Sequence, residues 1–132
     1  MGFEKNKKFK PKERFAGIPH VVMNHPDYIG LGGNSVKLLL EAARQYNGRN
    51  NGKLCFPWSQ MSKRGWRSQE TLQTAKNKLL ANNLLVISKY GGLLNGKGVP
   101  QYYAITWQSI DEIVGFSMDI EPKNSPIRSF KI

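Results

Sequence analysis

Arg67, Gln69, Gln73, Thr74 and Asn77 all fall within the stretch GWRSQETLQTAKNKLLANN, residues 65–83. A guanidinium pairs with guanine, a carboxamide with adenine and a hydroxyl with either, so this set has the chemistry to contact base edges in a nucleic-acid duplex. Lys63, Arg64, Lys78, Lys89 and Lys97 are cations suited to phosphate, and Ser68 adds a hydroxyl. For these groups to act together, the stretch must be a helix. Leu72, Ala75 and Leu79 recur at helical spacing behind a capping residue, Ser68. With Leu72 at the centre of the buried stripe and about 100° per residue, Glu70, Thr74 and Asn77 take the opposite face. Arg67, Gln73 and Lys78 flank it. Gln69 falls nearer the buried side and belongs to the set only because the first turn of such a helix enters the groove. The alternative is a surface helix that is polar because surfaces are polar.

No catalytic constellation accompanies these residues. Asp27 and Glu41 lie in different segments, Glu70 sits among cations, and no DxD, HExxH, GxSxG or GxxxxGK[ST] motif occurs. His20, His25 and Cys55 fit no common zinc spacing. The expectation is a protein that is not an enzyme and uses no metal or cofactor.

Charge narrows the class of partner. Twenty Lys and Arg against nine Asp and Glu give a formal net charge of +11, which favours polyanions. Residues 1–14 hold six basic and two acidic groups, residues 15–108 eleven and three, and residues 109–132 three and four. The excess therefore belongs mostly to the part expected to fold, as a binding surface requires. The 132 residues suffice for one compact core plus tails. No apolar run approaches the ~20 residues of a membrane span, and no apolar segment follows the lysine-rich start as it would in a secretion signal. A lone cysteine agrees with a reducing compartment, so the expected location is cytoplasmic with no membrane partner.

The positioning elements are read in chain order. Residues 1–14 form a disordered basic arm. Ile18 to Met23 reads as a short strand or extended segment, followed by a turn at His25-Pro26 and a helical turn over 27–31. NSVKLLLEAARQY, 34–46, is a core helix capped by Asn34, with Val36, Leu39, Leu40, Ala43 and Tyr46 on its buried face and Leu38 and Ala42 widening it. NGRNNGK ends it. KLCF, 53–56, fits a first strand; WSQMSKRG, 58–65, fits a short helix closed by Gly65. LLVISKY, 84–90, and QYYAITW, 101–107, read as strands around a glycine-rich loop at 91–100 carrying Lys97. SIDEIVGF, 109–116, reads as a short helix capped by Ser109, and residues 117–132 as a flexible tail.

Two helices joined by a tight glycine turn, then a hairpin with a basic tip, make a helix-turn-helix followed by a wing. The run from IPHVVMNHPDYIGLGG through PWSQMSKRGW and SQETLQTAKNKLLANNLLVISKYGG to QYYAITW resembles the winged-helix domains of phage and plasmid replication-initiation proteins and related mobile-element proteins. The resemblance covers about residues 17–108. It implies duplex DNA binding, with Ser68 to Asn77 in the major groove and the wing on phosphates or minor groove. No helicase-loading or nuclease segment accompanies it, so a replication role and a small transcription regulator both stay open.

The expectation is thus an α+β chain with a winged helix-turn-helix over 15–116, about three core helices and a small antiparallel sheet. Double-stranded DNA is the expected partner. A homodimer or a protein bound through the C-terminal tail would be further ones. The rival function is a protein-interaction adaptor anchored by Trp58, Trp66 or Trp107.

Overall fold

The computed structural model describes residues 13–94 and 97–131. Of the arm expected at 1–14, residues 1–12 lie outside the described residues. So do Asn95 and Gly96 at the hairpin tip, and Ile132.

The chain is α+β. Its elements are α1 (His20–Met23), α2 (Pro26–Ile29), α3 (Gly33–Gln45), α4 (Trp58–Met61), α5 (Gln69–Ala81), β1 (Leu85–Lys89), β2 (Gly92–Leu94), β3 (Lys97–Val99) and β4 (Tyr102–Ile105). The two 13-residue helices, α3 and α5, supply the main helical layer. Leu38, Leu39 and Ala42 of α3 share one buried core with Leu72, Ala75 and Leu79 of α5, closed by Leu54, Phe56, Met61, Leu85, Tyr103 and Ile105. Burying a leucine of this kind contributes about 1.5–3 kcal/mol.

β1 and β4 pair antiparallel, Leu85 opposite Ile105 and Val86 opposite Ala104. The strand expected over 53–56 contracts to a bridge between Leu54 and Tyr103, with reciprocal N–H···O bonds of 3.1 and 2.7 Å. The next residue leaves the ladder because a side chain takes its backbone. The Cys55 N–H donates to Gln45 Oε1 at 3.0 Å, and the Cys55 carbonyl accepts from Gln45 Nε2 at 2.7 Å. Pro57 then removes a donor. β4 thus lies between Leu54 and β1.

The register of β1 slips between Ile87 and Lys89. Ser88 occupies this bulge, buried, its hydroxyl donating to the Gly52 carbonyl and its own carbonyl accepting from the Asp119 N–H. A bulge bends a ribbon, and the chain continues as the separate β2–β3 hairpin. Gly91 sits where the hairpin leaves the sheet. A Cβ there would stand 2.7 Å from the Gln101 nitrogen and 2.8 Å from the Val99 carbonyl oxygen, so only glycine fits.

Several local expectations are corrected. Ile18 to Met23 is not a strand: the Val22 and Met23 N–H groups both donate to the Pro19 carbonyl, closing one turn of α1. α3 begins at Gly33, so Gly32 is its N-cap and Asn34 lies inside the first turn, where its side chain cannot cap. Leu40 is exposed, and Leu38 and Ala42, placed at the margin of the buried face, are its centre, because α5 packs on that side.

Residues 109–116 form no helix. Ser109 caps nothing there, and Asp111 accepts from the Asn51 N–H at 2.9 Å and returns its own N–H to the Asn51 carbonyl at 3.0 Å. Residues 117–131 contain no helix or strand yet are fastened to the body: Phe130 is buried, and Arg128 reaches Asp27 and the end of α5.

Candidate nucleic-acid interface

α5 starts where a serine can replace the missing carbonyl partners of its first turn. Ser68 has extended backbone, its Oγ accepts from the Thr71 N–H at 3.1 Å, and it shares a 2.9 Å hydrogen bond with the Thr71 hydroxyl. The stripe Leu72, Ala75 and Leu79 is buried, as its spacing requires. Gln69, Gln73, Thr74 and Asn77 are exposed on the outside of the same helix, and Arg67 is exposed just ahead of it. Four of the five residues expected to read bases therefore share α5's solvent side. Gln73 Nε2 donates to Asn77 Oδ1 at 3.0 Å, so these two carboxamides act as a pair one helical turn apart.

The approach to α5 is pinned from behind. Gly65 takes φ +82°, a left-handed conformation that suits glycine. Its carbonyl accepts from Lys37 Nζ at 2.9 Å, and the same ammonium lies 5.0 Å from the centre of the Trp66 ring. Arg64 donates through Nε to both carboxylate oxygens of Glu41, which Arg44 also meets at 3.1 Å. The turn ahead of α5 is held to α3 at two points.

The expected phosphate-contacting residues fall into three situations. Lys63, Lys78 and Lys97 are exposed on the α4–α5 turn, α5 and β3. Arg64 has one guanidinium edge engaged by Glu41, and the Ser68 hydroxyl is taken up by its cap. Lys89 is half-buried, its ammonium 5.0 Å from the centre of the Phe116 ring, with Lys53 at 5.1 Å on the same ring and Tyr102 edge-on to it. Lys89 ends β1 and Lys97 begins β3 of the hairpin; neither is hydrogen-bonded to α5's outer residues among the described residues.

The acids are arranged unequally. Asp27 pairs with Arg128 at 2.6 Å, Glu41 with the two arginines, Asp111 with the Asn51 N–H, and Asp119 accepts from the Tyr90 N–H at 2.7 Å. Glu70 is the acid that remains on the outer side of α5. The exposed cations Arg67 and Lys78 flank it, so positive groups outnumber the one acid on that side of the helix.

Of the three tryptophans considered as anchors, Trp66 and Trp107 are buried and Trp58 is half-buried. Two structural residues had no recognisable signal in the sequence. Asn51 is fully buried and donates to the carbonyls of Ile105, Gln108 and Ser109 while accepting from the Ile105 N–H, joining the interhelical loop to the end of β4. It looked like one more loop asparagine. Lys76 is half-buried beside Cys55; burial pushes its ammonium below the usual lysine value, and burial pushes the Cys55 thiol up. No helix among the described residues is long and apolar enough to cross a membrane. The chain matches no protein-family description, and neither curated proteins nor solved structures yield a match.

Proposed function

We propose that this chain is a double-stranded DNA-binding protein built as a winged helix-turn-helix. α4, the Ser62–Gly65 turn and α5 form the helix-turn-helix, and β2–β3 is the wing. The observation that carries the reading is the outer side of α5: Gln73, Thr74 and Asn77 presented between Arg67 and Lys78, with Glu70 the one acid exposed on that helix. In the major groove, the carboxamides would meet adenine edges and Arg67 a guanine. Lys63, Lys78, Lys89 and Lys97 would neutralise phosphates. A role in a phage or other mobile element, in replication initiation or transcription control, follows from the resemblance of the sequence, and with it a cytoplasmic location.

The test is a fluorescence-anisotropy titration of the protein with duplex DNA, single-stranded DNA and RNA at two salt concentrations. Duplex binding should be favoured and should weaken with salt, log K falling with log[salt] at about 0.9 per neutralised phosphate, hence a slope of about −3.6 for four lysines. Absence of duplex binding at low salt would overturn the proposal.

A further inference from the structure

The N-terminal end of α3 opens into a hollow of about 450 Å³ walled on its other side by α5. Gly32, Gly33, Asn34 and Ser35 form one wall; Glu70, Thr71, Thr74 and Lys78 form the other. A second hollow, about 220 Å³, adjoins it through Asn34 and Thr71 and extends to Arg67. The groove therefore runs from Arg67 to Lys78 alongside the outer face of α5.

Three features of this groove point to an oxyanion. No side chain caps α3, whose first internal bond is from the Val36 N–H to the Gly32 carbonyl at 3.1 Å. The N–H groups of Gly33, Asn34 and Ser35 precede that bond and are left to an outside acceptor. Ser35 is 94% buried, from an exposure of 6%. Its hydroxyl has no hydrogen-bond partner among the described residues, and the residue lines the hollow. Finally, neither Gly32 nor Gly33 needs to be glycine for the fold itself: Gly32 has φ −82°, neither residue is left-handed, and an added Cβ at either meets nothing within 4 Å. Glycine at these positions instead leaves room for a bulky group to approach the backbone.

We infer that this hollow holds one backbone phosphate of the duplex contacted by α5. The inference rests on the DNA-binding reading and extends it from α5 to α3. The phosphate would accept from the first-turn N–H groups of α3 and from the Ser35 hydroxyl, with Lys78 supplying charge across the hollow. Glu70 on the same wall opposes it, so Glu70→Gln should tighten binding. Fixing a phosphate on α3 as well as on α5 would set the angle at which α5 enters the groove.

The test compares wild-type protein with Gly33→Asp, Gly33→Ala and Ser35→Ala. An aspartate in the first turn suits the helix and meets open space, so Gly33→Asp should fold with unchanged or raised thermal stability. It should nevertheless repel a phosphate. Two readouts are needed: amide NMR shifts during titration with inorganic phosphate, and duplex affinity at 50 and 200 mM salt. In wild-type protein the Gly33, Asn34 and Ser35 amides should respond to phosphate more than the rest. Gly33→Asp should abolish that response, weaken duplex binding and flatten the salt slope by about 0.9, so that it loses about 3.5-fold less affinity than wild type between the two salts. Ser35→Ala should weaken both readouts, and Gly33→Ala, whose methyl crowds the approach to the backbone without adding charge, should weaken both less than Gly33→Asp does. Wild-type affinity and slope in Gly33→Asp would overturn the site while leaving DNA binding intact. Phosphate-dependent shifts in a protein that binds no duplex would uphold an oxyanion site and overturn its assignment to DNA.

Discussion

Arg64 and Glu41, 23 residues apart, meet through two hydrogen bonds of 2.7 and 2.9 Å, both from the arginine Nε. This pair fixes the turn before α5 to the middle of α3. The carboxylate is nearly buried while the arginine keeps solvent contact, so the arginine is the safer partner to remove. Arg64→Met keeps the aliphatic stem and leaves Glu41 to Arg44. It should cost about 1–2 kcal/mol in urea unfolding with an unchanged m-value. No change in midpoint would show that the turn is held without the pair.

The Gln73–Asn77 hydrogen bond leaves both N–H groups of the Asn77 amide, the second N–H of Gln73 and the Gln73 carbonyl oxygen to an outside partner. Each single alanine variant should lower affinity for a duplex selected from a random pool by about 5- to 150-fold, the equivalent of 1–3 kcal/mol. Binding to unselected duplex should change less than twofold. The double variant should lose less than the sum of the singles, because either one breaks the pair. Lys97→Ala should weaken selected and unselected duplex alike. Equal losses on both DNAs for all three variants would remove base reading from α5.

Alkaline stability should follow the half-buried Cys55 thiol and the buried Tyr103 phenol. Burial raises the Cys55 thiol above 9.0 and the Tyr103 hydroxyl above 10.0, the latter despite a hydrogen bond from Gln101. A raised folded-state pKa means that the native state holds the proton more tightly, so stability is full below the unfolded value and falls as pH rises past 9. Lys76 has the opposite sign: burial lowers it from 10.5, the unfolded chain binds more protons below that value, and stability rises with pH there. Urea midpoints measured from pH 8 to 10.5 should therefore fall less steeply in Cys55→Ala and more steeply in Lys76→Met. The reverse order would contradict the assignment.

The C-terminal segment should contribute to stability. Arg128 donates to the Asn82 carbonyl at 2.8 Å and to Asp27 at 2.6 Å, while its guanidinium stacks over Phe130 at 4.2 Å. Phe130 is 3% exposed. Phe130→Ala should cost about 3–5 kcal/mol, and Arg128→Ala a smaller amount together with fraying at the end of α5, where its carbonyls lose a cation. Hydrogen exchange at Leu80 to Leu84 would report the fraying. Unchanged melting of Phe130→Ala would mean that the segment is not docked in solution.

Where side-chain periodicity and local chemistry agreed, the sequence alone determined the outcome. Ser68 as cap, the stripe Leu72–Ala75–Leu79, the glycine turn at Gly65 and the strands on either side of 91–100 depend on neighbours a few residues away, and all are present. The polar set on α5 was legible for the same reason, since helical spacing alone decides which side chains share a face. Tertiary structure decided what depends on distant partners. Leu38 rather than Leu40 faces inward because of where α5 lies, and residues 109–116 stay irregular because Asp111 pairs with Asn51, 60 positions earlier. The segment after 117 is held by contacts from Arg128 and Phe130 that no local pattern encodes. The groove beside α5 is of this second kind. Gly32, Gly33 and Ser35 carry no signal in sequence, and only the packing of α3 on α5 brings their backbone within reach of Lys78 and Thr74.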